Sequence, residues 1–200
     1  MIGQAASQLG VKNVLFVPGA VHIPWWDDHD PVASDLCDQR ARAAVRHLVP
    51  QAEKLGIYLN IENIFFNGYL MTPMEMNAFV DSFQSEPVRI HFDTGNISMF
   101  QHPEHGIPMM GQRTQNIHFK EFTKKGTDFS LETFRPLLDG TRNWPDVMEN
   151  FEHVGYEPNI SPLSISIHIL TPRRPSSIKR LTHSTRVWGF PVRGRSGQIN

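Results

Sequence analysis

Three β-rich runs in this chain finish on or near an acid or an imidazole: IYLNIE closes on Glu62, VRIHFD closes on Asp93, and NIHFKEF carries His118. The intervals of 31 and 25 residues each leave room for one strand, one helix and their loops. A parallel (β/α) barrel of roughly 250 residues and eight units repeats at about that interval, and it gathers its chemistry at the C-terminal ends of its strands. Side chains so spaced share one rim. Glu, Asp and His converging there form an oxygen and nitrogen cage suited to a divalent cation.

The segments between these runs read as helices. From Ser34 to Leu55 apolar residues recur at three- and four-residue steps, with Gly56 where a helix stops. Thr72-Pro73-Met74-Glu75 offers an N-cap, a first-turn proline and a capping-box glutamate, followed by Met76, Phe79, Val80 and Phe83 as a buried stripe. A short helix is expected from Pro103 to Gln112. Asn143 is expected to cap a last helix with Trp144, Val147, Met148 and Phe151 facing the core and Gly155 at its end. Upstream, IGQAASQLG reads as the last turns of a helix and VKNVLFVPG, residues 11–19, as a buried strand. Strict alternation of strand and helix makes the fold α/β with a parallel sheet.

Composition divides the chain in two. With 200 residues and 40% hydrophobic content it can bury one sizeable core, and a net charge of −1 gives no global attraction to nucleic acid or anionic membrane. Beyond Glu157 there is no acid, while Arg173, Arg174, Lys179, Arg180, Arg186, Arg193 and Arg195 make the tail basic. Residues 1–157 are expected to form the barrel domain. Residues 158–200 are expected to be a Pro/Ser/Arg-rich tail with one strand in LSISIHIL and little order from about 172 onward. Cys37 is the only cysteine, which excludes an intramolecular disulfide and suits a reducing compartment. The N-terminus makes a poor signal peptide, and no apolar run approaches the about 20 residues that span a bilayer. A cytoplasmic location is the expectation.

The stretches VLFVPG (14–19), LNIEN (59–63), HFDTGN (91–96), IHFKEF (117–122) and WPDVMENFEHVGY (144–156) resemble the xylose isomerase-like TIM barrels. The likeness is to the sugar-phosphate isomerase and epimerase branch, which includes tagatose epimerases and hexulose-phosphate isomerases. It implies that Glu62, Asp93 and His118 bind Mn²⁺, Mg²⁺, Co²⁺ or Zn²⁺, and that the substrate is a ketose or ketose phosphate. A metal-stabilised cis-enediolate would form on proton transfer, with Glu62 as the base. His91 and Asn96 would meet substrate hydroxyls, and Lys120 a phosphate or carbonyl. A homo-oligomer is compatible with this.

The chain departs from that family at both ends. The family's first two strand–helix units would precede VLFVPG, so units three to six or seven of the eight are expected here, giving an incomplete barrel with exposed edges. A second catalytic glutamate, due on the strand after Gly155-Tyr156, has no counterpart, because Glu157 follows too soon to top a new strand. A shifted reading frame would account for the tail. The enzyme is therefore expected to be impaired. The alternatives are a non-catalytic barrel remnant and a metal-dependent phosphodiesterase resembling abasic-site endonucleases. The loop bearing His22, Asp27, Asp28 and His29 is read as an exposed polar loop before a second metal cluster.

Overall fold

A computed structural model describes residues 2–23, 30–124, 130–156 and 164–165. Strands β1 (Asn13–Phe16), β2 (Tyr58–Glu62), β3 (Val88–Asp93), β4 (Thr114–Phe119) and β7 (Ser164–Ile165) form one sheet in the order β1-β2-β3-β4-β7, all parallel. Helices α2 (Ser34–Leu55), α3 (Pro73–Asp81) and α4 (Pro103–Met110) make the successive crossovers, and α5 (Trp144–His153) follows β4. Helix α1 (Ile2–Gln8) precedes β1. A short antiparallel pair, β5 (Glu121–Phe122) and β6 (Phe134–Arg135), stands beside the rim. The architecture is that of an incomplete α/β barrel.

The two faces of the sheet differ in chemistry because side chains alternate along each strand. Ile61, Ile90, Phe92, Ile117 and Phe119 face the helices and join the core built by Val45, Met76, Phe79, Val147 and Phe151. Phe79, Phe92 and Phe151 are fully buried, and each contributes about 1.5–3 kcal/mol relative to exposure. The other face carries Asn60, Glu62, Arg89, His91, Asp93, Asn116 and His118.

A bulge decides which face β4 presents. Ile90 pairs with Thr114 but His91 pairs with Asn116, so Gln115 is the extra residue. Without that insertion the register set by Ile90 and Thr114 would continue, placing Ile117 opposite Asp93 and turning His118 toward the helices.

Most expected elements are present at their expected positions. Gly56 closes α2 in the left-handed region (φ 62°), donating to Ala52 and Glu53 carbonyls. Thr72 opens α3 with a complete capping box. Three expectations need correction. The strand over 11–19 is only four residues long and part-buried, because it is an edge among the described strands, and Val11, Leu15 and Val17 stay exposed on one side of it. NIHFKEF is not one strand: Lys120 N–H leaves the ladder to donate to Thr94 Oγ1 (3.0 Å), and Glu121 starts the antiparallel pair. Asn143 sits at the N-cap of α5 but does not cap with its side chain, which donates to Asp146 Oδ2 (2.6 Å). The expected tail falls outside the described residues apart from β7, as do Asp27, Asp28 and His29. Among the described residues no helix is long and apolar enough to cross a membrane.

Glu121 organises the loop that leads into α5. Its Oε1 accepts from Phe122 N (2.9 Å) and Arg142 N (3.3 Å), and its Oε2 from Leu138 N (3.1 Å) and Trp144 Nε1 (2.5 Å). Gly140 lies against this carboxylate so closely that a Cβ would collide with it.

Two stability predictions follow from these contacts. Glu121→Ala orphans four donors, and at about 1 kcal/mol or more each it should lower urea-derived stability by ~4 kcal/mol; a loss under 1 kcal/mol would contradict the role given to this carboxylate. Thr72→Ala should cost about 1 kcal/mol in the same assay, with no change in the denaturant slope.

Candidate metal centre

Register brings the polar residues of three strands to one place. Glu62 lies opposite His91, and Asp93 lies opposite His118. Paired residues on parallel strands point the same way, as do residues two apart on one strand, so all four share a face at the C-terminal end of the sheet. His118 Nδ1 is 3.0 Å from Glu62 Oε1 and 3.4 Å from Asp93 Oδ2. The His91 and His118 rings stand edge to face with centroids 4.0 Å apart. Glu62, His91 and His118 each offer one ligand atom within 4.8 Å of the other two.

Asp93 is engaged differently. Its Oδ1 accepts from Gly95 N and Asn96 N, both at 2.9 Å, and its Oδ2 forms an ion pair with Lys120 Nζ at 2.6 Å. Apart from that ion pair and the His118 Nδ1 contact, buried Oδ2 has no partner among the described residues. Asn63 brackets the Asp93 backbone, donating to its carbonyl (2.9 Å) and accepting from its N–H (2.8 Å). Asn96 Nδ2 is spent on the Asn63 carbonyl (3.0 Å), and its Oδ1 lies 3.5 Å from Lys120 Nζ. Gly95 is required by close approach: a Cβ there would sit 2.5 Å from Lys120 Cβ.

Burial sets the electrostatics. It disfavours the charged form of His118, but contacts with Asp93 and Glu62 outweigh it and raise the imidazole to about 9. For His91 burial dominates, and with His118 and Lys120 nearby it drops the pKa to about 3 despite the Asp93 charge. Burial opposes ionisation of Asp93 too, yet His118, Lys120 and the Asn96 amide hold its pKa below the usual carboxylate value. Arg142, above Trp144 and donating to Ser98 Oγ, is drawn down to about 10 by burial, against the pull of Glu121, Glu104 and Asp93.

The residues fit a divalent cation on their own chemistry. His91 is 1% exposed, and both its ring nitrogens lack a hydrogen-bond partner among the described residues. Buried nitrogens are seldom left so, and a neutral imidazole is a ready ligand. Asn63, Thr94 and Arg142 were not singled out from sequence. Asn63 directly follows Glu62 and Thr94 directly follows Asp93, so their place at strand ends was a usable signal. Arg142 carries none, since it arrives through an irregular loop.

The sequence profile of the family described as xylose isomerase-like TIM barrel matches residues 2–166. No curated protein sequence matches the chain. Among solved structures, a D-tagatose 3-epimerase-like protein superposes with a TM-score of 0.64 at 22% identity, over 78% of this chain and 57% of its own. A D-psicose 3-epimerase studied in the presence of D-fructose gives 0.65 at 20% identity, over 82% and 53%. An IOLI protein with a bound zinc atom gives 0.66 at 13% identity, over 82% and 56%. The chain thus spans little more than half the length of these structures. At such identities the likeness establishes the fold, and with the profile match over residues 2–166 the chain belongs to the xylose isomerase-like TIM barrel family.

Proposed function

We propose that this chain binds a ketose or ketose phosphate at the Glu62–His118 rim and moves a proton at the carbon beside its carbonyl, as isomerases and epimerases do. The observation that carries this is the Glu62 carboxylate, buried yet 3.0 Å from the His118 imidazole, at the strand end where such barrels do their chemistry. The resemblance to 3-epimerase structures supports the same substrate class.

A divalent ion held there would supply Lewis acidity to the substrate's carbonyl and neighbouring hydroxyl oxygens. Glu62 is the proton acceptor, since its carboxylate stands on the polar face of the sheet with no backbone donor bound to it among the hydrogen bonds described. Asp93 is unsuited to that task, because two backbone N–H groups and Lys120 hold its oxygens. Lys120 and Arg142 add positive charge near the rim, which favours an enediolate-like developing charge or a substrate phosphate. Asn63 and Thr94 position the ends of β3 and β4 and take no part in proton transfer.

With Glu62 as the acceptor and no second carboxylate assigned to the opposite face of the substrate, exchange should outrun net conversion. Incubated with ketoses in deuterated water, the metal-supplied protein should incorporate deuterium at the carbon next to the carbonyl faster than it forms epimer or aldose. Glu62→Gln should slow that exchange by about 100-fold or more. Binding of sugar with no exchange would favour the non-catalytic remnant, and exchange unaffected by Glu62→Gln would remove the role given to this carboxylate.

A further inference from the structure

We infer that the substrate carries a phosphate and that the Arg142 guanidinium is the group that holds it. The inference rests on the proposed proton transfer and names the substrate class of the same site. Its first support is charge. Arg42, Arg89, Arg113, Arg135 and Lys120 each stand in an ion pair with an acid. Arg142 has no such pair among the described residues, although burial weighs on its charge and draws the guanidinium down to about 10. A buried cation without an anion is costly, and a guanidinium fork matches phosphate oxygens in geometry as well as in charge.

The neighbouring acids do not fill that role. Glu121, Glu104 and Asp93 all pull on the guanidinium, yet each is engaged elsewhere. Glu121 accepts from four N–H donors, Asp93 holds two backbone amides and Lys120, and Glu104 lies 3.3 Å from His102 Nδ1. The Arg142 Nε is buried with no hydrogen-bond partner among the described residues. Arg89 Nε is in the same state, but Glu86 meets the Arg89 charge at 3.0 Å. At Arg142 the unmet donor and the unmet charge coincide.

Placement ties this group to the rim. Its Nη2 donates to Ser98 Oγ, and that hydroxyl donates to the carbonyl of Thr94 (2.5 Å), the residue after Asp93 at the end of β3. Glu121 fixes it from the other side, accepting from Arg142 N (3.3 Å) and from the indole of Trp144, whose ring lies 5.9 Å from the guanidinium carbon. A guanidinium braced by backbone, ring and hydroxyl gives up little freedom when it grips a ligand. Lys120, by contrast, already has Asp93 at 2.6 Å. It supplies field, whereas Arg142 supplies contact.

The test uses the metal-supplied full chain with a ketose and with its terminal phosphate ester, reading deuterium exchange beside the carbonyl. The ester should react with a kcat/KM about 100-fold or more above that of the free ketose. Arg142→Gln should remove most of that preference, chiefly through KM, and Arg142→Lys, which keeps the charge without the fork, should retain roughly a tenth of it. Inorganic phosphate should raise the Tm of the wild type and leave that of Arg142→Gln unmoved, a difference that a merely structural arginine would not produce. Should Arg142→Gln fail to fold, Ser98→Ala, which releases the guanidinium from its hydroxyl, should still lower the preference by about tenfold. Equal turnover of ketose and ester, or a preference that survives both Arg142 changes, overturns the inference and leaves the proton transfer standing. Protection by inorganic phosphate without any preference for the ester marks a site for free phosphate and overturns it as well. Exchange with neither substrate overturns the proton transfer and this inference together.

Discussion

Everything at the rim depends on holding ionisable groups out of water on one face of a parallel sheet. Glu62, His91 and Asp93 are almost fully buried, and an unpaired buried charge costs several kcal/mol. Compensation comes from pairing: His118 between Glu62 and Asp93, Lys120 against Asp93, and two backbone amides on the same carboxylate. His91 avoids the penalty by being neutral. Opposite charges thus nearly balance, while the buried His91 nitrogens and Asp93 Oδ2 have no hydrogen-bond partner among the described residues.

The protein scaffold is arranged to keep that face fixed. The apolar sides of β2, β3 and β4 are clamped by α3, α4 and α5, so the strand ends have little freedom to slide. Asn63 ties β2 to β3 by gripping the Asp93 backbone, and Thr94 ties β3 to β4 through the His118 carbonyl and the Lys120 amide. Glu121 then anchors the loop that carries Arg142 toward the rim. The proposed chemistry therefore sits on strand ends braced from two sides, as a preorganised site requires.

Much of this was legible in the chain. The helices from Ser34, Thr72 and Trp144 announce themselves through apolar spacing and stop or start signals, which are local and survive any tertiary context. The alternation in VRIHFD and NIHF also contains the two-faced sheet, since every second residue is polar. What it does not contain is how the strands line up. The bulge at Gln115, the choice of His91 over Asp93 beside Glu62, and the capture of Asp93 by Lys120 all arise between strands, from register and side-chain reach. Asn143 illustrates the same limit on a smaller scale: its residue type suits a cap, but its backbone (φ −82°, ψ 74°) leaves the extended region from which a side chain caps.

The most direct measurement is an anomalous-scattering map at the zinc absorption edge, from crystals grown with one equivalent of Zn²⁺. One strong peak should appear at the C-terminal ends of β2, β3 and β4, about 2.0–2.2 Å from a Glu62 oxygen and from a His118 nitrogen. Peaks confined to exposed histidines such as His102 and His105, with the rim empty, would contradict the account.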